Sequence, residues 1–173
     1  MINWDNKEEV LEIAKIDGLV LDYASSRLQK DREIVLEAVK NNGMALKYAS
    51  LELKKDEEIV LEAVKNNKMA LKYASPELKD NKDFIIKIIE NYKLCLKYVS
   101  NRLYRDREVV LKAVKNDGWN LLHTYWHFQN DKEIVLEAVK NNKNSFVFAE
   151  YEIKKKYSTV EELLASEKEV TNY

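Results

Sequence analysis

The chain has very few structure breakers and little thiol chemistry. Its 173 residues include one cysteine, one proline and three glycines. The single thiol, Cys95, excludes an intrachain disulfide and suits a reducing compartment. No stretch approaches the roughly 18 consecutive apolar residues of a membrane helix. The opening MINWDNKEEV has no basic segment followed by an apolar one. The expectation is a cytoplasmic protein with no membrane association. A surplus of charge is also missing. With 29 Lys and Arg against 30 Asp and Glu, the formal net charge is −1. Binding to nucleic acid or to an anionic surface would therefore need local sorting of charge. No glycine-rich phosphate loop, zinc-type cysteine pairing or Ser/His/acid arrangement is visible. No cofactor, metal or catalytic residue is expected, and the chain reads as a non-enzyme. Scarce glycine and proline beside abundant Lys, Glu, Leu and Ala favour an all-α protein.

What the chain does have is repetition. EIVLEAVKNN stands at Glu33–Asn42, Glu58–Asn67 and Glu133–Asn142. Asp31, Asp56, Asn81, Asp106 and Asp131 are spaced 25 residues apart, and Asn6 extends the series backwards. Such self-similarity marks an α-solenoid, in which each unit buries its apolar face only against its neighbours. The expected organisation is a single α-helical repeat domain over 1–173, with repeats starting at 6, 31, 56, 81, 106 and 131. Residues 156–173 read as a partial seventh repeat, a C-terminal cap, giving about six to seven 25-residue repeats in all.

One unit can be read residue by residue. Asp31, Asp56, Asp106 and Asp131 suit N-caps, each with an acid two residues on. Ile34, Val35, Leu36, Ala38 and Val39 then give a broad apolar stripe on a helix of about three turns. Asn41-Asn42-Gly43 reads as a stop through the left-handed conformation that Asn and Gly tolerate; Lys68, Lys93 and Lys143 replace that glycine. A shorter helix of about two turns follows, with Met44, Ala45, Leu46, Tyr48 and Ala49. Ser75-Pro76 then opens a further turn anchored by Leu78. Stacked at about 8–10 Å per helix, the repeats would form a curved rod on the order of 60 Å long.

Equivalent positions form columns. Leu21, Leu46, Leu71, Leu96, Leu121 and Phe146 share one, and Leu28, Leu53, Leu78, Leu103, Phe128 and Ile153 another; both are expected in the core. Tyr23, Tyr48, Tyr73 and Tyr98, continued by His123 and Phe148, read either as rings packed at repeat junctions or as stacking platforms. Met1–Asp5, with Ile2 and Trp4, would lid the first repeat.

The pattern D-x-E-I-V-L-x-A-V-K-x-N-G-x-A-L-x-Y-A-S-x-x-L is clearest at Asp31–Leu53 and Asp56–Leu78. It resembles the family catalogued as domain of unknown function 4116, tandem short helical repeats of bacterial and protist proteins. The resemblance covers Asn6 to Lys155. It implies an all-helical solenoid, and it supplies no activity and no site residues to carry over.

Candidate function rests on what departs from the repeat. The segment WNLLHTYWHF, Trp119–Phe128, holds both histidines and two of the three tryptophans. Trp119, Leu121, His123 and Phe128 fall on core slots. Tyr125 stands where other repeats have serine, Trp126 where they have Leu51, Pro76 and Asn101, and His127 where they have Glu52, Glu77 and Arg102. His123 and His127 have the i, i+4 spacing of a metal pair, yet an inward His123 and a turn between them would make them diverge. Cys95 offers no evident third ligand. The reading is a scaffold that binds a protein partner through Trp126, Tyr125 and His127, with Tyr151 one repeat on and Tyr104 nearby. The alternative is nucleic-acid or phosphate binding along a lysine column (Lys15, Lys40, Lys65, Lys115, Lys140; or Lys47, Lys72, Lys97; or Lys54, Lys55, Lys79 with Lys154, Lys155 and Lys156), as in a phage or mobile-element protein acting on host defence. Self-association through exposed end repeats is a further expectation.

Overall fold

The computed structural model describes residues 1–93 and 96–168. Leu94, Cys95 and the end of the expected cap lie outside the described residues. All regular structure among those described is helical, and the chain is an all-α repeat protein. No described helix is long and apolar enough to cross a membrane. The chain falls into two compact units, Met1–Ile88 with Tyr98–Ser100, and Ile89–Lys97 with Asn101–Tyr173.

Each 25-residue repeat opens with a ten-residue helix: Lys7–Ile16, Arg32–Asn41, Glu57–Asn66, Lys82–Asn91, Arg107–Asn116 and Lys132–Asn141. The caps work as the sequence indicates. Asp56 Oδ1 accepts the N–H groups of Glu58 at 3.0 Å and Ile59 at 3.1 Å, and Asn6, Asp31, Asp106 and Asp131 do the same for their helices. Two otherwise orphaned helix donors are thereby satisfied.

The helix stop differs from expectation. Among the described residues no backbone enters the left-handed region. Asn42 ends its helix in extended conformation (φ −143°, ψ 107°), and its Oδ1 accepts the Met44 N–H at 3.0 Å to start the next segment. Gly43 is needed for proximity: a Cβ there would lie 2.2 Å from the Ala63 carbonyl oxygen of the following repeat. The Gly43 N–H is taken by Asn66 Oδ1 at 2.7 Å, while Asn66 Nδ2 donates to the Lys40 and Asn41 carbonyls. Asn41 and Asn141 repeat this bridge to Gly18 and Gly118. Each of these side chains ends the helix of the preceding repeat and bolts its own repeat to it.

The second segment is a 3₁₀-helix, six residues long at Gly43–Tyr48, Lys68–Tyr73, Gly118–His123 and Lys143–Phe148. Extended residues at both ends confine it to two tight turns, where i→i+3 bonding is common. A last short turn of 3₁₀ or α-helix follows, such as Leu53–Lys55 or Pro76–Lys79. Here backbone bonds step from repeat to repeat: Ser50 N to Gln29 O at 3.0 Å and Ser75 N to Lys54 O at 2.9 Å in the first unit, and Glu150 N to Gln129 O at 3.0 Å in the second.

Within each unit, helices pack on helices and 3₁₀ segments on 3₁₀ segments, so the core lies between two layers. Ile34, Val35, Ala38 and Val39 bury the helix stripe, and Leu21, Leu46 and Leu71 fill the first unit from the other side. Leu96, Leu121, Leu103, Phe128 and Ile153 do so in the second unit. Leu53 and Phe146, expected in the core, are only half-buried. Trp4 meets Tyr23 in a tilted pair at 5.4 Å between ring centres, and Asp5 accepts from the Ser25 hydroxyl at 2.5 Å, so this N-terminal segment contacts the first repeat's turn, while Tyr23 stays 67% exposed and Ile2 is exposed too. In the second unit the helix Val160–Lys168 packs on Lys132–Asn141, with Leu163 fully buried.

Candidate partner-binding face of the C-terminal repeats

The 3₁₀ geometry decides which side chains of WNLLHTYWHF face outward. With three residues per turn, positions i and i+3 eclipse. Gly118, Leu121 and Thr124 form the buried row, and Trp119 with Leu122 form the exposed one, each 47% accessible. Trp119, expected in the core, is therefore a surface residue whose ring leans on Phe148 at 5.3 Å. An α-helical period hides this pairing. Leu121 and Phe128 do sit in the core, as their slots require.

Tyr104, Tyr125, Trp126 and His127 come together as one cluster. The Tyr104 and Tyr125 rings meet edge to face at 4.9 Å, and Tyr125 stacks on His127 at 5.8 Å. Trp126 meets His127 edge-on at 5.9 Å, and His127 also lies 4.1 Å from Phe128. Arg105 fixes Tyr125: its guanidinium lies 4.6 Å from the ring centre, and its Nε donates to the phenol oxygen at 2.8 Å. The Tyr125 hydroxyl in turn donates to Asn101 Oδ1 at 3.0 Å. Trp126 is 67% exposed on this support. An ordered platform with one free indole costs little entropy when a partner closes over it.

Tyr151 stands one repeat beyond Trp126 in the same column and is 66% exposed. It stays outside the ring contacts of that cluster; the Lys155 ammonium approaches its ring centre at 5.7 Å. It helps line a groove of about 430 Å³ with Leu122, Gln129, Val147, Phe148, Ala149, Glu150 and Lys154. Leu122 and Val147 continue the column that Lys47, Lys72 and Lys97 begin, so two lysine positions have become exposed aliphatic ones. Sequence reasoning passed over these two residues, although that column change was visible.

The equivalent groove in the first unit has a different character. It encloses about 520 Å³ and is lined by Leu51, Lys54, Lys55, Lys72, Tyr73 and Pro76, among others. The Lys47 and Lys72 ammoniums sit 5.0 and 4.7 Å from the ring centres of Tyr48 and Tyr73; these two rings are half-buried, whereas Tyr23 of the same column is 67% exposed.

The two histidines stand in different settings. His123 is half-buried at the end of its 3₁₀ segment, whereas His127 is exposed on the following helical turn. Burial, with the Lys97 charge adding to it, lowers the His123 pKa below the ordinary imidazole value. Among the described residues no three His, Cys, Asp or Glu side chains gather as a metal site requires.

The helix-end lysines are engaged with acids. Lys15, Lys40 and Lys140 lie 2.6, 2.7 and 2.8 Å from Glu12, Glu37 and Glu137, and Lys65 lies 3.6 Å from Glu62.

Comparison with known families agrees with the repeat geometry. The family model described as domain of unknown function (DUF4116) matches at residues 6–54, 56–104 and 106–154. The chain belongs to this family. Each DUF4116 match spans two of the 25-residue units, so three matches account for six repeats. No curated protein and no solved structure matches the chain.

Proposed function

We propose that this DUF4116 protein is a non-catalytic scaffold that binds a protein partner through the 3₁₀ face of its C-terminal unit. The observation that carries this reading is Trp126, 67% exposed on a platform ordered by Tyr125, Arg105 and Asn101. Trp119, Leu122, Val147 and Tyr151 extend exposed apolar surface on the same unit. Exposed aromatic residues of this kind are the usual anchors of protein interfaces. Replacement of column lysines by Leu122 and Val147 favours a polypeptide over a nucleic acid, which would gain from the cations.

Quantitative capture from native cell extract, with wild type beside Trp126→Ala and Leu122→Ser, tests the proposal. A partner held by wild type should be reduced at least about tenfold by either variant, since anchor truncations typically cost 2 kcal/mol or more. Equal capture by all three proteins would remove the face from consideration. Recovery of nucleic acid as the captured species would favour the lysine-column alternative.

A further inference from the structure

The near-zero net charge conceals a sorting between the two layers. In the C-terminal unit, the 3₁₀ and short-turn segments 93–105, 118–130 and 143–155 carry seven Lys and Arg against two acids, Glu150 and Glu152. The intervening ten-residue helices and their caps, 106–117 and 131–142, carry five against six. Helices stack on helices and 3₁₀ segments on 3₁₀ segments, so this difference in sequence becomes a difference between faces.

The cations also stand beside the exposed aromatics. Arg105 lies against Tyr125, Lys155 approaches Tyr151 at 5.7 Å, and Lys154 lines the groove while donating to the Val147 carbonyl at 2.8 Å. Positive charge thus borders the Tyr125–Trp126 cluster from the preceding repeat and Tyr151 from the following one, while the Leu122–Val147 groove between them is lined by Lys154 together with Glu150. In the helix layer Arg107 is matched by Asp131 at 3.1 Å and Glu133 at 2.6 Å, and in the 3₁₀ layer Lys143 lies 3.1 Å from Glu161, which leaves the cations beside the aromatics to set the character of the face.

We infer that the occupant of this face is an acidic polypeptide segment carrying one or two large apolar side chains. The inference rests on the docking face proposed above and adds the chemistry of its partner. Apolar anchors would enter the groove at Leu122 and Val147 and cover Trp126, while flanking carboxylates meet Arg105, Lys154 and Lys155. Charge complementarity of this kind speeds encounter and selects among partners that share the same apolar anchors. A basic segment would meet like charge and be rejected.

Selection of random 12-residue peptides on the immobilised full chain tests this without knowing the natural partner. The expected winners are enriched in Asp and Glu together with Trp, Phe or Leu, and depleted in Lys and Arg. Their binding should weaken at least about tenfold with Trp126→Ala. It should weaken about fivefold or more with Lys155→Glu, and similarly between about 0.05 and 0.5 M NaCl, as screening predicts. Thermal unfolding of each variant confirms that the fold is retained. Winners of neutral or basic character that still depend on Trp126 would overturn the acidic assignment and leave the docking face standing. Winners indifferent to Trp126, or no enrichment at all, would overturn both. A single-stranded oligonucleotide that displaces the selected peptides through the same residues, and binds more tightly than they do, would also overturn the inference.

Discussion

Asn66 and Gly43 meet across a repeat boundary: Asn66 Oδ1 accepts the Gly43 N–H at 2.7 Å while its Nδ2 donates to the Lys40 and Asn41 carbonyls at 2.9 and 3.1 Å. One side chain therefore satisfies three backbone groups of the preceding repeat. Asn66→Ala would strand all three, including a part-buried N–H. The expected loss is about 2–3 kcal/mol of unfolding free energy, read by urea denaturation. A loss under about 0.5 kcal/mol would show that water replaces the bridge.

The same junction makes Gly43 intolerant of a methyl group. A Cβ placed 2.2 Å from the Ala63 backbone oxygen can be relieved only by moving the two repeats apart. Gly43→Ala should cost about 1–3 kcal/mol, whereas Lys68→Ala, at the exposed equivalent position, should be nearly neutral. Equal stability of the two variants in thermal melts would contradict the close approach.

A ladder of ion pairs links helix starts, and it has a gap. Lys7 reaches Asp31 and Glu33, both at 2.9 Å, and Arg32 reaches Asp56 at 2.9 Å and also Glu58. Hydrogen bonds from Arg32 and the Ile59 N–H overcome partial burial and hold the Asp56 carboxyl below its ordinary pKa. The next slot holds Glu57, and the following repeat offers Asn81 and Asp83. Glu57→Arg should complete the ladder and add about 0.2–1 kcal/mol. Most of that gain should disappear in about 1 M NaCl. A destabilised Glu57→Arg variant at low salt would refute the shared slot.

His123 links stability to pH. Burial depresses its folded-state pKa, with Lys97 assisting, so the neutral form fits the fold better than the imidazolium. Its contribution is fully present above the unfolded pKa, near 6.5. It is lost as pH falls through the lower folded value. Stability should decline below about pH 6.5 before the carboxylates of the ion ladder titrate. His123→Tyr, which restores the residue of the earlier column, should remove that first decline. Urea midpoints measured from pH 8 to pH 5 for the two proteins decide the matter: superimposable profiles would sink the assignment.

Much of the architecture was legible from local chemistry. The 25-residue period, the Asp N-caps, the ten-residue helices and most core columns follow from patterns that each segment carries by itself. The candidate cluster was legible in part for the same reason: Tyr125, Trp126 and His127 stand out because they replace polar residues of the repeat. Trp119 was misplaced because its column, held elsewhere by Met44 and Met69, reads as apolar core, whereas the 3₁₀ winding turns Trp119 and Leu122 outward together and leaves Met69 43% exposed as well. Val147 was overlooked because a valine attracts attention only when aligned with the lysines it replaces.

The sequence by itself determined the unit, its caps and its buried stripe, since these depend on neighbours within a few residues. Only tertiary structure decided why Asn66 and Gly43 occupy their positions, because their partners lie in another repeat 23 residues away. Stacking also decided the surface chemistry. By laying helices on helices and 3₁₀ segments on 3₁₀ segments within the C-terminal unit, it converts an alternation of charge along that stretch of chain into two distinct faces.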